Sequence, residues 1–127
     1  ASELRVNTLK DANGNNSVAT STVASGTIKA YVCYSTSSGT AIHGSESFNH
    51  SSLSDEGTGQ TKFTMASPMS ASKFSLSDSG GDATAGYSSW VQDDEFSTTT
   101  YEFNLGNSTF NSQDGPYHAG QVIGDLA

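Results

Sequence analysis

Short stretches of alternating apolar and polar residues dominate the chain, and turn residues interrupt them at intervals of roughly 8–12 residues. TIKAYVCY at residues 27–34 gives the clearest strand, because Thr, Ile, Val and Tyr fit a pleated sheet. Other strands are predicted at residues 3–10, 41–48, 60–66, 72–77, 83–91, 96–105 and 117–126. No apolar pattern of helical spacing persists along the chain. The pattern predicts an all-β fold, a compact antiparallel β-sandwich or jelly-roll-like module.

One β-hairpin is predicted in particular detail, from SLSDEGTGQTKFTM at residues 52–65. The residues that supply its turn are Asp55, Glu56, Gly57 and Gly59. In the strand that follows, Thr61, Phe63 and Met65 point to one face and the polar residues between them point to the other. We therefore expect Phe63 and Met65 to pack inward.

The N-terminal part of the chain is too light to form a core of its own. Residues 15–26, NNSVATSTVASG, contain no large side chain and predict an extended connector. We divide the chain into an extended N-terminal leader over residues 1–25 and a β-sandwich module over residues 26–127.

The composition favours association with copies of the same chain. Only 33% of the residues are hydrophobic and 9% aromatic, whereas Ser, Thr and Gly number 23, 14 and 13. With so few large side chains, burial within one copy stabilises a monomer weakly. We therefore expect an oligomer.

The charge of the chain excludes two classes of partner. Five basic residues against 13 acidic ones give a net charge of −8, which disfavours nucleic acid and anionic membrane surfaces. No apolar stretch is long enough to insert into a membrane, and the N-terminus has no signal-peptide pattern. Cys33 is the single cysteine and is expected to be an inert, packed thiol.

The acidic run Asp93-Asp94-Glu95 is the strongest candidate for catalysis, and it is weak. A glycosidase needs two carboxylates facing each other across a sugar, about 5–9.5 Å apart. Neighbouring residues on one turn point in diverging directions. A solvated acidic turn is the favoured interpretation, and we expect no catalytic residue.

Metal-binding patterns are equally weak. His43, His50 and His118 are widely spaced, which disfavours zinc. Asp78 and Asp82 flank SGG and could hold calcium, but a plain DSGGD turn is favoured because oxygen ligands are sparse there. We expect no metal and no cofactor.

An aromatic group near the acidic run is more suggestive of function. Aromatic faces edged by small hydroxyls and carboxylates hold sugars, since the C–H face of a sugar stacks on a ring. The candidate receptor- or glycan-binding residues are Tyr87, Trp90, Asp93, Asp94, Glu95 and Tyr101. In the alternative interpretation, Trp90 and Phe103 belong to the core and Tyr101 lines a contact between subunits.

Several short motifs carry a resemblance to a known family. They are Lys29-Ala30-Tyr31-Val32, Ser47-Phe48-Asn49, the hairpin pattern of Leu53, Asp55, Gly57 and Gly59, and the step from Met69 to Phe74. Together they resemble a module of small tail-fibre and virion appendage proteins from marine bacteriophages of cyanophage and pelagiphage type. The first motif usually has Trp where this chain has Tyr31. The resemblance covers most of residues 3–80.

This resemblance implies a homotrimeric virion appendage protein, made in the host cytoplasm without a signal peptide and displayed on the exterior of the particle. The leader would attach to other virion proteins or support trimerisation. Three functions stay open. The first is a non-enzymatic tail-fibre or fibre-tip adhesin that recognises a host surface receptor, with a glycan as the expected class. The second is a structural capsid decoration, head fibre or tail adaptor. The third, a polysaccharide depolymerase, is disfavoured because no β-helix repeat is present.

Overall fold

A computed structural model describes residues 2–3, 5–15, 17–37, 41–72, 74–81, 88–91 and 96–127. The strands are β1 (Thr8–Leu9), β2 (Val18–Ala19), β3 (Ile28–Ser35), β4 (Ala41–Phe48), β5 (His50–Gly57), β6 (Gln60–Met65), β7 (Ser75–Gly81), β8 (Ser88–Val91), β9 (Thr100–Gly106) and β10 (Tyr117–Ile123), and a helix α1 spans Thr20–Gly26. Within the described residues, no helix has the length and apolar character needed to cross a membrane.

Two four-stranded sheets form the body of the fold. The first sheet has the strand order β4-β3-β10-β7 and the second has the order β5-β6-β9-β8. Every pairing in both sheets is antiparallel. The prediction of an antiparallel all-β fold is confirmed. A separate two-stranded pair, β1 and β2, lies in the N-terminal segment.

The predicted hairpin forms as β5 and β6, but its turn is shorter than predicted: Asp55, Glu56 and Gly57 belong to β5, and only Gly59 of the four expected turn residues lies in the turn. Leu53 lies opposite Phe63, and Gly57 lies opposite Gln60 at the turn. The φ angles of Gly57 and Gly59 are +144° and +71°, which favour glycine. Thr61, Phe63 and Met65 are all buried, so the predicted inward face of β6 is confirmed.

One aromatic cluster joins the two sheets, with Phe63 at its centre. The Phe63 ring stacks on Tyr101 with centroids 4.9 Å apart and planes at 10°. It also meets the edge of Tyr34 from the first sheet at 4.9 Å, and Phe103 at 5.7 Å. All four rings are 0–1% exposed. Edge-to-face and offset stacking are the arrangements that aromatic quadrupoles favour.

The prediction of an extended connector over residues 15–26 is wrong for its second half. Residues Thr20–Gly26 form α1, none of whose residues is buried. The hydroxyl of Thr20 donates to the carbonyl oxygens of Val6 and Asn7, at 3.1 and 3.2 Å, and so ties the start of the helix to the segment before β1. These hydrogen bonds to residues 13 and 14 positions earlier therefore hold the start of the helix without a core.

The predicted turn at DSGGD is also wrong, because residues 78–81 continue strand β7 and pair with β10. Gly80 explains this placement. A Cβ atom added there would lie 1.9 Å from Nδ1 of His118, so only glycine leaves room for the imidazole. Asp78 points into the same inter-sheet space, where the Tyr34 hydroxyl donates to its Oδ2 at 3.5 Å. Asp82 lies outside the described residues.

The thiol of Cys33 is less buried than the prediction of a packed thiol implied. It lies on β3 between the inward residues Val32 and Tyr34, so its thiol faces outward and is half-buried. The thiol sulfur lies 3.7 Å from the hydroxyl oxygen of Tyr117. The strand alternation therefore places it on the outer face of the first sheet and not in the core.

Truncating the central aromatic residue tests how far the fold depends on this cluster. We expect Phe63→Ala to lower the free energy of unfolding by about 3–5 kcal/mol, because it removes a fully buried ring and leaves a cavity between the sheets. Urea denaturation measures the loss. Phe110→Ala is the matched control: Phe110 is 71% exposed, and its truncation should change stability by no more than about 0.5 kcal/mol. Equal effects would contradict the central role of Phe63.

The buried carboxyl group predicts a characteristic pH dependence. Burial raises the pKa of Asp78 from 3.8 to about 7, so this group lowers stability as pH rises through that range. Burial lowers the pKa of His118 from 6.5 to about 4, so the imidazole lowers stability as pH falls through an overlapping range. The two effects oppose each other. In Asp78→Asn only the histidine effect remains, and the urea midpoint should rise with pH more steeply than in the wild type. The exposed Asp125→Asn variant should keep the wild-type profile, and a parallel profile for Asp78→Asn would refute the assignment.

Candidate functional site

The structure separates the residues that the sequence grouped as a candidate sugar site. Trp90 lies on the edge strand β8 and is half-buried, whereas Tyr101 is fully buried on β9. Tyr87, Asp93, Asp94 and Glu95 lie outside the described residues. Trp90 is therefore the described member of the group that remains a candidate for surface recognition.

Tyr101 is a core residue, and both predictions made for it are wrong. Its ring stacks on Phe63, and its hydroxyl lies 2.5 Å from Nε2 of His50. Burial raises the pKa of the hydroxyl. The hydrogen bond to His50 is what allows a phenol to be buried there. A side chain enclosed within its own subunit lines neither a surface sugar site nor an inter-subunit contact. Phe103 belongs to the core, as its alternative interpretation predicted.

Trp90 lies on the outer face of the second sheet. It pairs in register with Asn104, whose neighbours Phe103 and Leu105 point inward. The Trp90 ring extends over Gly106, where an added Cβ would lie 2.9 Å from the indole. Glycine at position 106 therefore lets the indole lie close against the strand.

A tight turn places a second aromatic ring beside Trp90. The turn spans residues 107–111 and is closed by Asn107, whose Oδ1 accepts hydrogen bonds from the backbone N–H and hydroxyl of Thr109 and the N–H of Asn111, at 2.9, 2.7 and 3.2 Å. The Phe110 N–H donates to the carbonyl oxygen of Asn107 at 2.9 Å. This network holds the Phe110 ring 6.4 Å from that of Trp90, at 55° between planes.

Phe110 combines two unfavourable features, a strained backbone and an exposed ring. Its φ angle is +60°, in the left-handed region, and its side chain is 71% exposed. For a residue other than glycine, asparagine or aspartate, that conformation costs about 1–2 kcal/mol. Strain of this kind persists only where the surroundings enforce it, and it clusters at binding sites. We call Trp90, Asn104, Gly106 and Phe110 the Trp90–Phe110 surface.

The polar base of this surface is ordered by hydrogen bonds. Asn104 and Glu102 are 1% and 3% exposed although both lie on the outer face of β9. Nδ2 of Asn104 donates to Oε1 of Glu102 at 3.1 Å. Lys62 on β6 lies directly opposite Glu102, a favourable cross-strand pairing of opposite charges. The ring of Trp90 therefore rests beside a fixed amide–carboxylate pair.

The loop that carries Phe110 is anchored to the predicted hairpin. The Gly59 N–H donates to Oδ1 of Asp114 at 2.7 Å, and the Gln113 N–H donates to the Leu105 carbonyl at 3.0 Å. A Cβ atom on Gly59 would lie 2.4 Å from the Leu105 carbonyl oxygen, so a side chain there would push the loop away. The β5–β6 turn thus serves as the support of the Trp90–Phe110 surface.

The arrangement is suited to binding the flat, apolar side of a ligand. Two adjacent rings offer stacking area, and exposed Thr109 and Asn111 offer a hydroxyl and an amide at the rim. Among the described residues, no group of three or more His, Cys, Asp or Glu side chains could hold a metal ion. Sequence reasoning missed Phe110, because a single aromatic residue in a loop of Asn, Ser and Gly has no periodic signal.

Comparisons of the chain with protein-family models, curated proteins and solved structures return no match. The resemblance to phage appendage proteins therefore stays a prediction.

The strain at Phe110 can be measured by comparing two substitutions that both remove the ring. Asparagine tolerates the left-handed region and alanine does not, so Phe110→Asn should be more stable than Phe110→Ala by about 0.5–1 kcal/mol. Urea denaturation of both variants gives the difference. Equal stabilities would show that residue 110 adopts an unstrained backbone, and the argument for an enforced aromatic ring would fail.

Proposed function

We propose that this chain is a bacteriophage virion appendage protein, a trimeric tail-fibre or fibre-tip adhesin that recognises a glycan on the host surface. The N-terminal leader attaches it to other virion proteins in this proposal, and no enzymatic step is involved. The family resemblance of residues 3–80 supports the viral role, and the Trp90–Phe110 surface supports recognition.

The observation that carries recognition is the enforced exposure of Phe110. A ring needed only for stability would gain by burial, yet this one is 71% exposed on a strained backbone. The Asn107 network fixes its position before any ligand arrives. A preorganised ring binds with little loss of conformational freedom, which favours affinity.

The chemistry of the surface favours a sugar among flat ligands. The C–H face of a pyranose stacks on an aromatic ring, and its hydroxyls need hydrogen-bonding groups at the edge. The Thr109 hydroxyl and the Asn111 amide lie 3.0 Å apart on the same turn as Phe110. The net charge of −8 also disfavours the anionic alternatives, nucleic acid and phospholipid.

A binding role without catalysis is favoured by the state of Glu102, the carboxylate at the base of the Trp90–Phe110 surface. Glu102 is 3% exposed and accepts a hydrogen bond from Asn104, which supports a structural role for it. A glycosidase would need a second carboxylate facing the first across an open cleft. Recognition by aromatic rings needs neither a second carboxylate nor an open cleft.

A structural virion protein, such as a capsid decoration, head fibre or tail adaptor, is the second candidate. The observation in its favour is an exposed aromatic patch on the first sheet, where Tyr31 and Phe48 are 44% and 53% exposed. Such a face suits docking against protein more than binding of a sugar.

Glycan binding by three proteins tests the proposal. The wild type, Phe110→Tyr and Phe110→Ala are screened against surface polysaccharides of marine bacteria. Phe110→Tyr keeps the ring and should retain binding, whereas Phe110→Ala should lose about tenfold in affinity, equivalent to ~1.4 kcal/mol. Unchanged binding by Phe110→Ala would remove the Trp90–Phe110 surface from the proposal.

Labelled antibodies against the protein then locate it on virus particles in the electron microscope. Labelling at the tips of tail fibres, together with glycan binding, is the expected result. Labelling spread over the capsid or collar without glycan binding would favour the structural candidate.

A further inference from the structure

The outer face of the first sheet differs in chemistry from the rest of this acidic chain. Its described outward side chains include Tyr31, Cys33, Phe48, Ser77, Ser79, Tyr117, Ala119 and Gln121, which we call the Tyr31 face. None of these eight side chains carries a charge, in a chain of net charge −8. The charged Lys29 lies at the start of β3, two residues before Tyr31, where its Nζ donates to the hydroxyl of Thr27.

Large aromatic side chains stand on the Tyr31 face instead of being buried. Tyr31, Phe48 and Tyr117 are 44%, 53% and 50% exposed. Tyr31 and Phe48 lie directly opposite each other on β3 and β4, and their rings stack with centroids 5.9 Å apart. Beside Tyr31, a groove of about 380 Å³ runs across β3, β10 and β7 over the small residues Ser77, Ser79 and Ala119. Projecting rings next to a shallow groove form a surface that another protein surface can complement in shape.

We infer that the Tyr31 face is the surface through which copies of this chain associate. The inference deepens the oligomeric assembly proposed above and rests on it, but it is independent of glycan recognition. Interfaces are enriched in Tyr and Phe and depleted of charge at their centres, as this face is among its described residues. Stable association also provides the apolar burial that a chain with 33% hydrophobic residues lacks within one copy.

Charge identifies a second copy as the occupant. Two chains of charge −8 repel each other least where neither presents an outward carboxylate, and the eight side chains of the Tyr31 face meet that condition. Asp78 also borders the groove, but its carboxylate points inward to the Tyr34 hydroxyl. A basic partner protein would instead be drawn to the acidic parts of the chain, such as Asp55 and Glu56 near the end of β5.

Association between two acidic copies has a characteristic salt dependence. Raising the ionic strength from about 0.01 M to about 1 M shortens the Debye length from ~30 Å to ~3 Å and screens the repulsion between copies. Association through the Tyr31 face should therefore become stronger with salt, whereas binding to a basic partner would become weaker.

Sedimentation velocity of the full chain over a range of concentrations tests the inference. The wild type should sediment as a multiple of 13.2 kDa, and Tyr31→Glu should shift association to at least about tenfold higher concentration, because the variant places a carboxylate at the centre of the interface. Phe110→Glu is the matched control: it adds the same charge at an exposed aromatic position on the other sheet and should associate as the wild type does. Tyr117→Glu repeats the test at the other end of the face and replaces Tyr31→Glu if that variant does not fold.

A wild type that stays monomeric at all concentrations and salt levels would overturn the inference, and so would an oligomer that both glutamate variants leave unchanged. Alkylation of Cys33 gives a readout that needs no variant, because its half-buried thiol lies on the face and should react more slowly as association increases. A rate independent of concentration would again count against the face.

The two proposals fail separately. The Phe110→Glu variant tests recognition alone, because it should lose glycan binding and keep its association. Loss of association in Tyr31→Glu should leave the affinity of each single copy for a glycan unchanged and reduce only binding to a surface that presents many copies of the glycan.

Discussion

The contact between Phe63 and the rings around it is the interaction on which the rest of the structure depends. Phe63 is the point where the second sheet meets Tyr34 of the first, so both sheets lose their common core without it. In a chain with only 33% hydrophobic residues, strict alternation on the central strands concentrates the large side chains in this one layer. The outer faces are then left to residues chosen for other reasons, and both candidate surfaces lie there.

Much of this fold could be predicted from the sequence, because several of its strands have a clear sequence pattern. β3, β4 and the β5–β6 hairpin combine alternation with clear turn residues, and the structure confirms all of them. β7 was harder to predict beyond Ser77, since its residues 78–81 have the composition of a turn. They form a strand because pairing with β10 and the space needed by the imidazole of His118 outweigh local propensity.

The candidate site could be predicted only in part. The sequence identified Trp90 but grouped it with Tyr101, because both lie near the acidic run at residues 93–95. His50, 51 positions earlier in the chain, satisfies that hydroxyl in the core, and no local pattern reports so distant a partner. Phe110 was missed for a related reason. Its role follows from a backbone conformation that Asn107 imposes, and conformation is not visible in the identity of one aromatic residue.

The turn at residues 107–111 has a consequence for how such a protein can evolve. Its geometry is closed by hydrogen bonds that the side chain of its own first residue, Asn107, accepts, and Ser108, Thr109 and Phe110 are exposed. Substitutions at these tips leave the layer around Phe63 intact, so the sandwich can keep its architecture while the tip acquires new side chains. A lineage whose binding target changes could therefore alter its specificity by substituting a few residues of this turn, while the two sheets stay unchanged.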